Sequence, residues 1–453
     1  MPVSVTKREW RELLRLAPPI AAAQAGTQLM GLVDVAVLGR VGARELASAG
    51  LGNTLFFSAA IIGMGTVFGV DPLIAQAIGA GDPARARRML WQGVWLAMLV
   101  SIALMIVMTS VAIALPYAGV QAELVAPSRS FLLIRMISVL PFLVYLVIRA
   151  YLQAHGVTRP MLTTMLAANV VNFGGDILLI FGGGGLPAWC GPLRRIPAMG
   201  VPGAALSTVF CNFLQLAMLA AAARRVGSRE RVDRRPRRED LAKAFRVGMP
   251  IGLQLGAEIG IFALVGVLAA RLGTAPLAAH QLVLSVASFT YTIALGVAAA
   301  GTVRVSIGIG ARDPLATRTA GRVAFLAGAG IMTLAALTFA LAPTRVARLV
   351  TDQETIILAS IPLFMVAAVF QLSDGLQAIG AGALRGAGDT RFPMYANLLG
   401  HWLIGLPVAL WLGFHAGLGV VGLWWGLCAG LSVVAVLLLV RFEKLAAKTI
   451  APL

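Results

Sequence analysis

The chain has 453 residues, 59% of them hydrophobic and only 12% charged, with a mean hydropathy of +0.87. An ordinary globular protein carries about a quarter charged residues, so a soluble fold is excluded and an all-α polytopic membrane protein is expected. The formal charge of +18 does not point to nucleic acid, because the basic residues gather in particular short loops, as the positive-inside rule requires.

A membrane span needs about 20 apolar residues. The first predicted span, near 14–38, follows a basic start (Lys7, Arg8, Arg11, Arg15) whose apolar core before Ala22 is too short for a signal peptide, so it reads as an uncleaved helix. It carries Asp34 in the middle of QLMGLVDVAVLG, where snorkelling gives no rescue and a carboxylate needs a wet interior or a partner. In the second span, near 47–78, Asp71 precedes Pro72 close to a predicted cytoplasmic end, where a carboxylate reaches water or basic loop residues; the structural reading is preferred there. The third span falls near 90–115 and the fourth near 128–154, where Arg135 either opposes an acid or, the preferred reading, snorkels at a predicted outer end. The fifth, near 160–182, reads AANVVNFGGDILLIFG and puts Asn169, Asn172 and Asp176 on one helix face. The sixth, near 201–222, adds Thr208 and Asn212 one turn apart. Asp34, Asn172, Asp176 and Thr208 together offer the oxygen ligands a proton or sodium ion prefers; the competing reading is a polar cluster that only ties helices together.

The stretch 223–246 holds ten basic and four acidic residues and is expected to be a cytoplasmic linker between two lobes, 1–222 and 247–453. The seventh span, near 247–271, carries Gln254 and Glu258 on one face, and the eighth, near 278–308, carries His280 and Tyr291. After the ninth, near 321–342, the tenth, near 356–384, has Asp374 flanked at three residues by Gln371 and Gln377. The eleventh, near 393–414, places Asn397 and His401 one turn apart, and the twelfth lies near 417–440. Glu258 and Asp374 form a second acid pair, to be weighed against a structural network with Asn397 or His401. The two histidines are better read as hydrogen-bonded packing residues than as proton relays. Met30, Phe57, Tyr291 and Phe370 are candidates for a cavity lining suited to flat, greasy molecules, each also open to ordinary packing.

The two lobes are related in sequence. Residues 40–83 and 271–314 align without gaps at an offset of 231, with 12 identities in 44 positions. Six spans per repeat leave the repeats parallel, which predicts two bundles about an axis along the membrane normal and both termini on the cytoplasmic side, an arrangement suited to alternating access. Cys211 and Cys428 lie in apolar spans and Cys190 in a Pro/Gly loop, so no disulfide is expected. There is no Walker lysine motif, zinc-spaced cluster or GxSxG serine; no enzyme and no cofactor is expected, and active transport would draw on a proton or sodium gradient.

Four segments, LVDVAVLGRVGARELASAGLG, IAQAIGAGDPARAR, NFGGDILLIFG and LQAIGAGALRGAGDTRFPM, resemble the multidrug and toxic compound extrusion (MATE) family, and the resemblance runs from Leu14 to about Arg441. It implies twelve helices in two six-helix bundles of the MATE/MOP type, and export of small cationic or amphipathic compounds in exchange for protons or sodium. Asp34, Asn172, Asp176 and Thr208 match the N-lobe cation site of one branch, while Glu258 and Asp374 match a C-lobe site of the NorM-like branch. Where some relatives place an aromatic hydroxyl one turn before the C-lobe aspartate, this chain has Phe370, a departure bearing on sodium binding there. The implied setting is a monomer in the cell inner membrane, multi-pass, with lipid and small molecules as its partners. The runner-up is a lipid or lipid-linked oligosaccharide flippase, which would want an Arg- and Lys-rich cavity; interior charges that are mainly acids favour cationic cargo.

Overall fold

The computed structural model describes residues 3–185, 187–226, 232–448 and 450–453, and among these it contains helices and no strand. Among the described residues eleven helices are long and apolar enough to cross a membrane, and a bent pair, taken as one span, brings the number to twelve. In chain order they are α1 Val3–Leu38, α2 Ala43–Gly79, α3 Pro83–Tyr117, the bent α4 (Ala122–Met136 and Val139–Ala154), α5 Arg159–Phe181 and α6 Val201–Ala223. The second half comprises α7 Arg238–Arg271, α8 Thr274–Gly310, α9 Pro314–Leu341, α10 Glu354–Gly386, α11 Arg391–His415 and α12 Gly419–Ala446. The chain is a multi-pass membrane protein with both termini on one face, termed here the terminal face. The connection between halves includes residues 227–231 of the expected linker, which lie outside the described residues.

Local chemistry explains several boundaries. The repeat at offset 231 is visible as matched caps: Asp82 accepts from the Arg85 amide at 2.8 Å and Asp313 from the Ala316 amide at 2.9 Å, opening α3 and α9. Just before them Gly81 takes φ +73° and its counterpart Arg312 φ +54°, so the repeat holds an arginine in the left-handed region that glycine occupies freely. Helix α7 begins at Arg238, nine residues before the predicted span, because Glu239 and Asp240 in its first turn suit the positive end of the helix dipole. The 44° bend of α4 falls between Met136 and Val139. There the Ser138 hydroxyl donates to the Arg135 carbonyl at 2.7 Å, and Pro141 has no amide to offer the preceding turn. Helix α11 widens into π-helical turns at Leu398–Gly405 and Trp411–His415, with Pro407 between them.

The halves close on each other toward the terminal face. A Cβ on Gly79 would lie 2.1 Å from the Ile307 carbonyl oxygen, and one on Gly310 would lie 2.0 Å from that of Gln76. These two contacts are exchanged by the repeat offset, so α2 and α8 cross at the pseudo-twofold axis with only glycine small enough to permit it. Beside this crossing Arg304 of α8 grips the buried Glu9 of α1 through two bonds of 2.8 and 2.7 Å. Gln76 donates to the Gly386 carbonyl at 3.1 Å, again from one half to the other. Further toward the opposite face Leu29 and Leu32 of α1 and Phe289 and Ile293 of α8 are exposed.

Candidate functional site

Each half brings one pair of acids together in its interior, with Asp34 half-buried and Asp176, Glu258 and Asp374 buried. In the first half, Asp34 of α1 meets the side chains of Asp176 and Asn172 from α5 and Thr208 from α6, and feels the charge of Arg135 from α4. The NFGGD run explains the approach of α5 and α6: a Cβ on Gly175 would stand 2.7 Å from the Ser207 hydroxyl, so glycine lets that hydroxyl reach the site. Ser207 donates to the Asn172 carbonyl at 3.2 Å, and the Asn172 amide lies 3.4 Å from both Ser207 Oγ and Asp176 Oδ1. Asn169, predicted on the same face, donates instead to the Gly26 carbonyl at 3.1 Å and ties α5 to α1.

The remaining oxygens define the chemistry. Asp34 Oδ1, Asn172 Oδ1 and Asp176 Oδ2 are buried and have no hydrogen-bond partner. All are acceptors, so a donor completes the site, whether a water, a proton or a cation, and oxygen is the ligand hard cations prefer. Two facing carboxylates also repel, which a bound proton or cation relieves.

In the second half, Glu258 Oε2 accepts from Gln377 at 3.0 Å and from Asn397 at 3.3 Å. Asp374 lies within electrostatic reach of Glu258, and both act on Tyr291 of α8. Gln371 donates to the Thr290 hydroxyl, and Gln254 is buried one turn before Glu258. His280 accepts from Trp424 at 3.1 Å, while both ring nitrogens of the buried His401 lack a partner. Among the described residues no group of three or more His, Cys, Asp or Glu gathers as a metal site.

The four candidates for a cavity lining divide. Phe57 is 42% exposed and Tyr291 half-buried, but Met30 is buried and Phe370 is 2% exposed, its ring 5.2 Å from Trp424 and 6.1 Å from Phe262. Phe370 therefore packs inside its half, where Trp424 of α12 covers it, and Met30 packs within the first half. Arg135 also differs from expectation: the α4 bend turns it inward, 5% exposed, with its Cζ 4.4 Å from the Phe56 ring centroid. Sequence reasoning passed over Glu9, Arg304, Arg149 and Arg385. The usable signal for the arginines was a cation inside an apolar run, as in TVRVSIG.

Known proteins resemble this chain over nearly its whole length. The MatE family model matches residues 19–178 and 250–411, two stretches that begin at the repeat offset of 231. The chain is 35% identical to a probable multidrug resistance protein NorM of Bradyrhizobium diazoefficiens, over 98% of this chain and 95% of that protein. It is also 35% identical to the NorM so described in Deinococcus radiodurans, over 93% and 92%. Among solved structures, the eukaryotic MATE transporter AtDTX14 superposes with a TM-score of 0.84 at 21% identity, covering 98% of this chain and 99% of that one. A MOP superfamily transporter from Pyrococcus furiosus gives 0.86 at 20% identity, covering 97% and 96%. With the family matched over both halves and the relatives aligned over nearly their whole length, this chain belongs to the multidrug and toxic compound extrusion family and is a membrane transporter, not an enzyme.

Proposed function

We propose that this protein exports cationic and amphipathic organic compounds by alternating access, in exchange for protons or sodium ions. The carrying observation is the set of three buried acceptor oxygens without partners on Asp34, Asn172 and Asp176. The names of the NorM relatives support a multidrug range. In this reading a cation enters the first half from outside and favours the state that releases drug. It must bind that state more tightly than the other: turning a 1:99 equilibrium into 99:1 takes about 10⁴-fold preference, or about 5.5 kcal/mol. The glycine crossing and the Glu9–Arg304 pair then close the cytoplasmic side, with 1–222 and 247–453 as the moving lobes around the 223–246 linker. The protein works as a monomer in the inner membrane, both termini cytoplasmic, as its basic terminal-face loops favour.

The test is ethidium uptake into inverted vesicles containing the protein, with a pH gradient alone and then a sodium gradient alone. Uptake driven by one of them is expected; no response to either would contradict the reading.

A further inference from the structure

Two guanidinium groups between the halves carry more positive charge than their surroundings neutralise. Phe68, within α2, has Arg149 of α4 with its Cζ 5.3 Å from the ring centroid and Arg385 of α10 with its Cζ at 5.1 Å. One arginine comes from each half. Asp71, three residues beyond Phe68, is the acid whose charge acts with both. Two cations thus face one anion, and the Nε of each arginine is buried without a hydrogen-bond partner. Arg385 also lies within electrostatic reach of Tyr291, which is in turn within reach of Glu258 and Asp374.

Open donors with surplus positive charge ask for an anion, as the first-half oxygens ask for a cation. A guanidinium presents its N–H groups as a planar fork that matches a carboxylate, and it does so without losing its charge. The phenyl ring of Phe68 and the half-buried ring of Tyr291 add aromatic surface beside it. We propose that Arg149 and Arg385 form an anion subsite for the carboxylate of an amphoteric substrate, whose cationic end lies toward Glu258 and Asp374. This deepens the export reading and rests on it. Because the two arginines belong to different halves, the substrate bridges them only while the halves are close, and their separation weakens its hold.

A matched pair of dyes tests this. Rhodamine 19 carries a free carboxylate and is a zwitterion; rhodamine 6G is its ethyl ester and a pure cation. Binding of each to the purified full-length protein in detergent is read by fluorescence anisotropy. Arg149→Gln and Arg385→Gln are expected to weaken rhodamine 19 by roughly tenfold or more, the scale of a charged hydrogen bond, while rhodamine 6G stays within about twofold. Asp71→Asn, which removes the competing acid, is expected to tighten rhodamine 19 alone. Rhodamine 6G binding also reports that each variant is folded. Should a glutamine variant not fold, Arg149→Lys and Arg385→Lys keep the charge but lose the fork, and an intermediate loss for rhodamine 19 alone is expected. Equal weakening of both dyes, or no change in either, would overturn the subsite and leave the arginines as ties between halves. Binding needs no gradient, so failure of the antiport reading appears separately, as intact dye binding without driven uptake; a wild type that binds neither dye would overturn both.

Discussion

The two interior acid pairs look alike in composition but are built differently. In the first half, three acceptor oxygens from Asp34, Asn172 and Asp176 stand open. In the second, Glu258 Oε2 is already held by two amide donors, Gln377 and Asn397, and the open oxygens belong to the amides Gln371, Gln377 and Asn397 rather than to a carboxylate. The repeat did not make them equivalent: at the offset of 231, Asp34 corresponds to Val265 and Glu258 to Thr27. The duplicated scaffold thus carries its charges at different positions in its two halves. The first arrangement suits reversible uptake of a small cation, and the second suits a carboxylate kept in place to meet a bulkier positive group.

That contrast can be broken or sharpened by substitution. Asp34→Asn is expected to abolish gradient-driven ethidium uptake while expression and thermal unfolding stay as in wild type; full uptake would sink the assignment. Asp176→Asn, which leaves one carboxylate, should weaken the coupling of dye release to the cation by about 5- to 150-fold, the span of a 1–3 kcal/mol coupling energy. In the second half, Glu258→Gln should cost about tenfold in ethidium affinity, or about 1.4 kcal/mol, and leave the response to the cation intact. Unchanged affinity would return Glu258 to a purely structural role. His280→Phe removes the acceptor of the buried Trp424 N–H, so a loss of about 1–3 kcal/mol in stability is expected, read as a lower unfolding temperature. The pH profile of transport should not move, and a shifted profile would revive a proton relay through His280.

Much of the fold was legible because a membrane span is a long, one-dimensional signal. The apolar windows located the helices, the repeat located the two halves, and the spacing of Asn172 and Asp176 put them on one face. Features that depend on where a chain bends were hidden. Arg135 reads as an interfacial residue until the Ser138 hydroxyl turns α4 and carries it inward. Phe370 reads as a lining residue until Trp424 covers it. Glu9 sits in a basic, polar start and shows no sign of burial until Arg304, 295 positions away, closes on it. Pairings across halves leave no periodic trace in either partner, so only the assembled structure shows them.

A cation taken up at Asp34 and Asp176 and the drug are expected to displace each other. Ethidium bound to the purified protein, followed by anisotropy while pH is lowered or sodium is added, tests it most directly. One of these two cations is expected to release the dye from the wild type and fail to release it from Asp34→Asn. Release of the same size from both proteins would contradict the account.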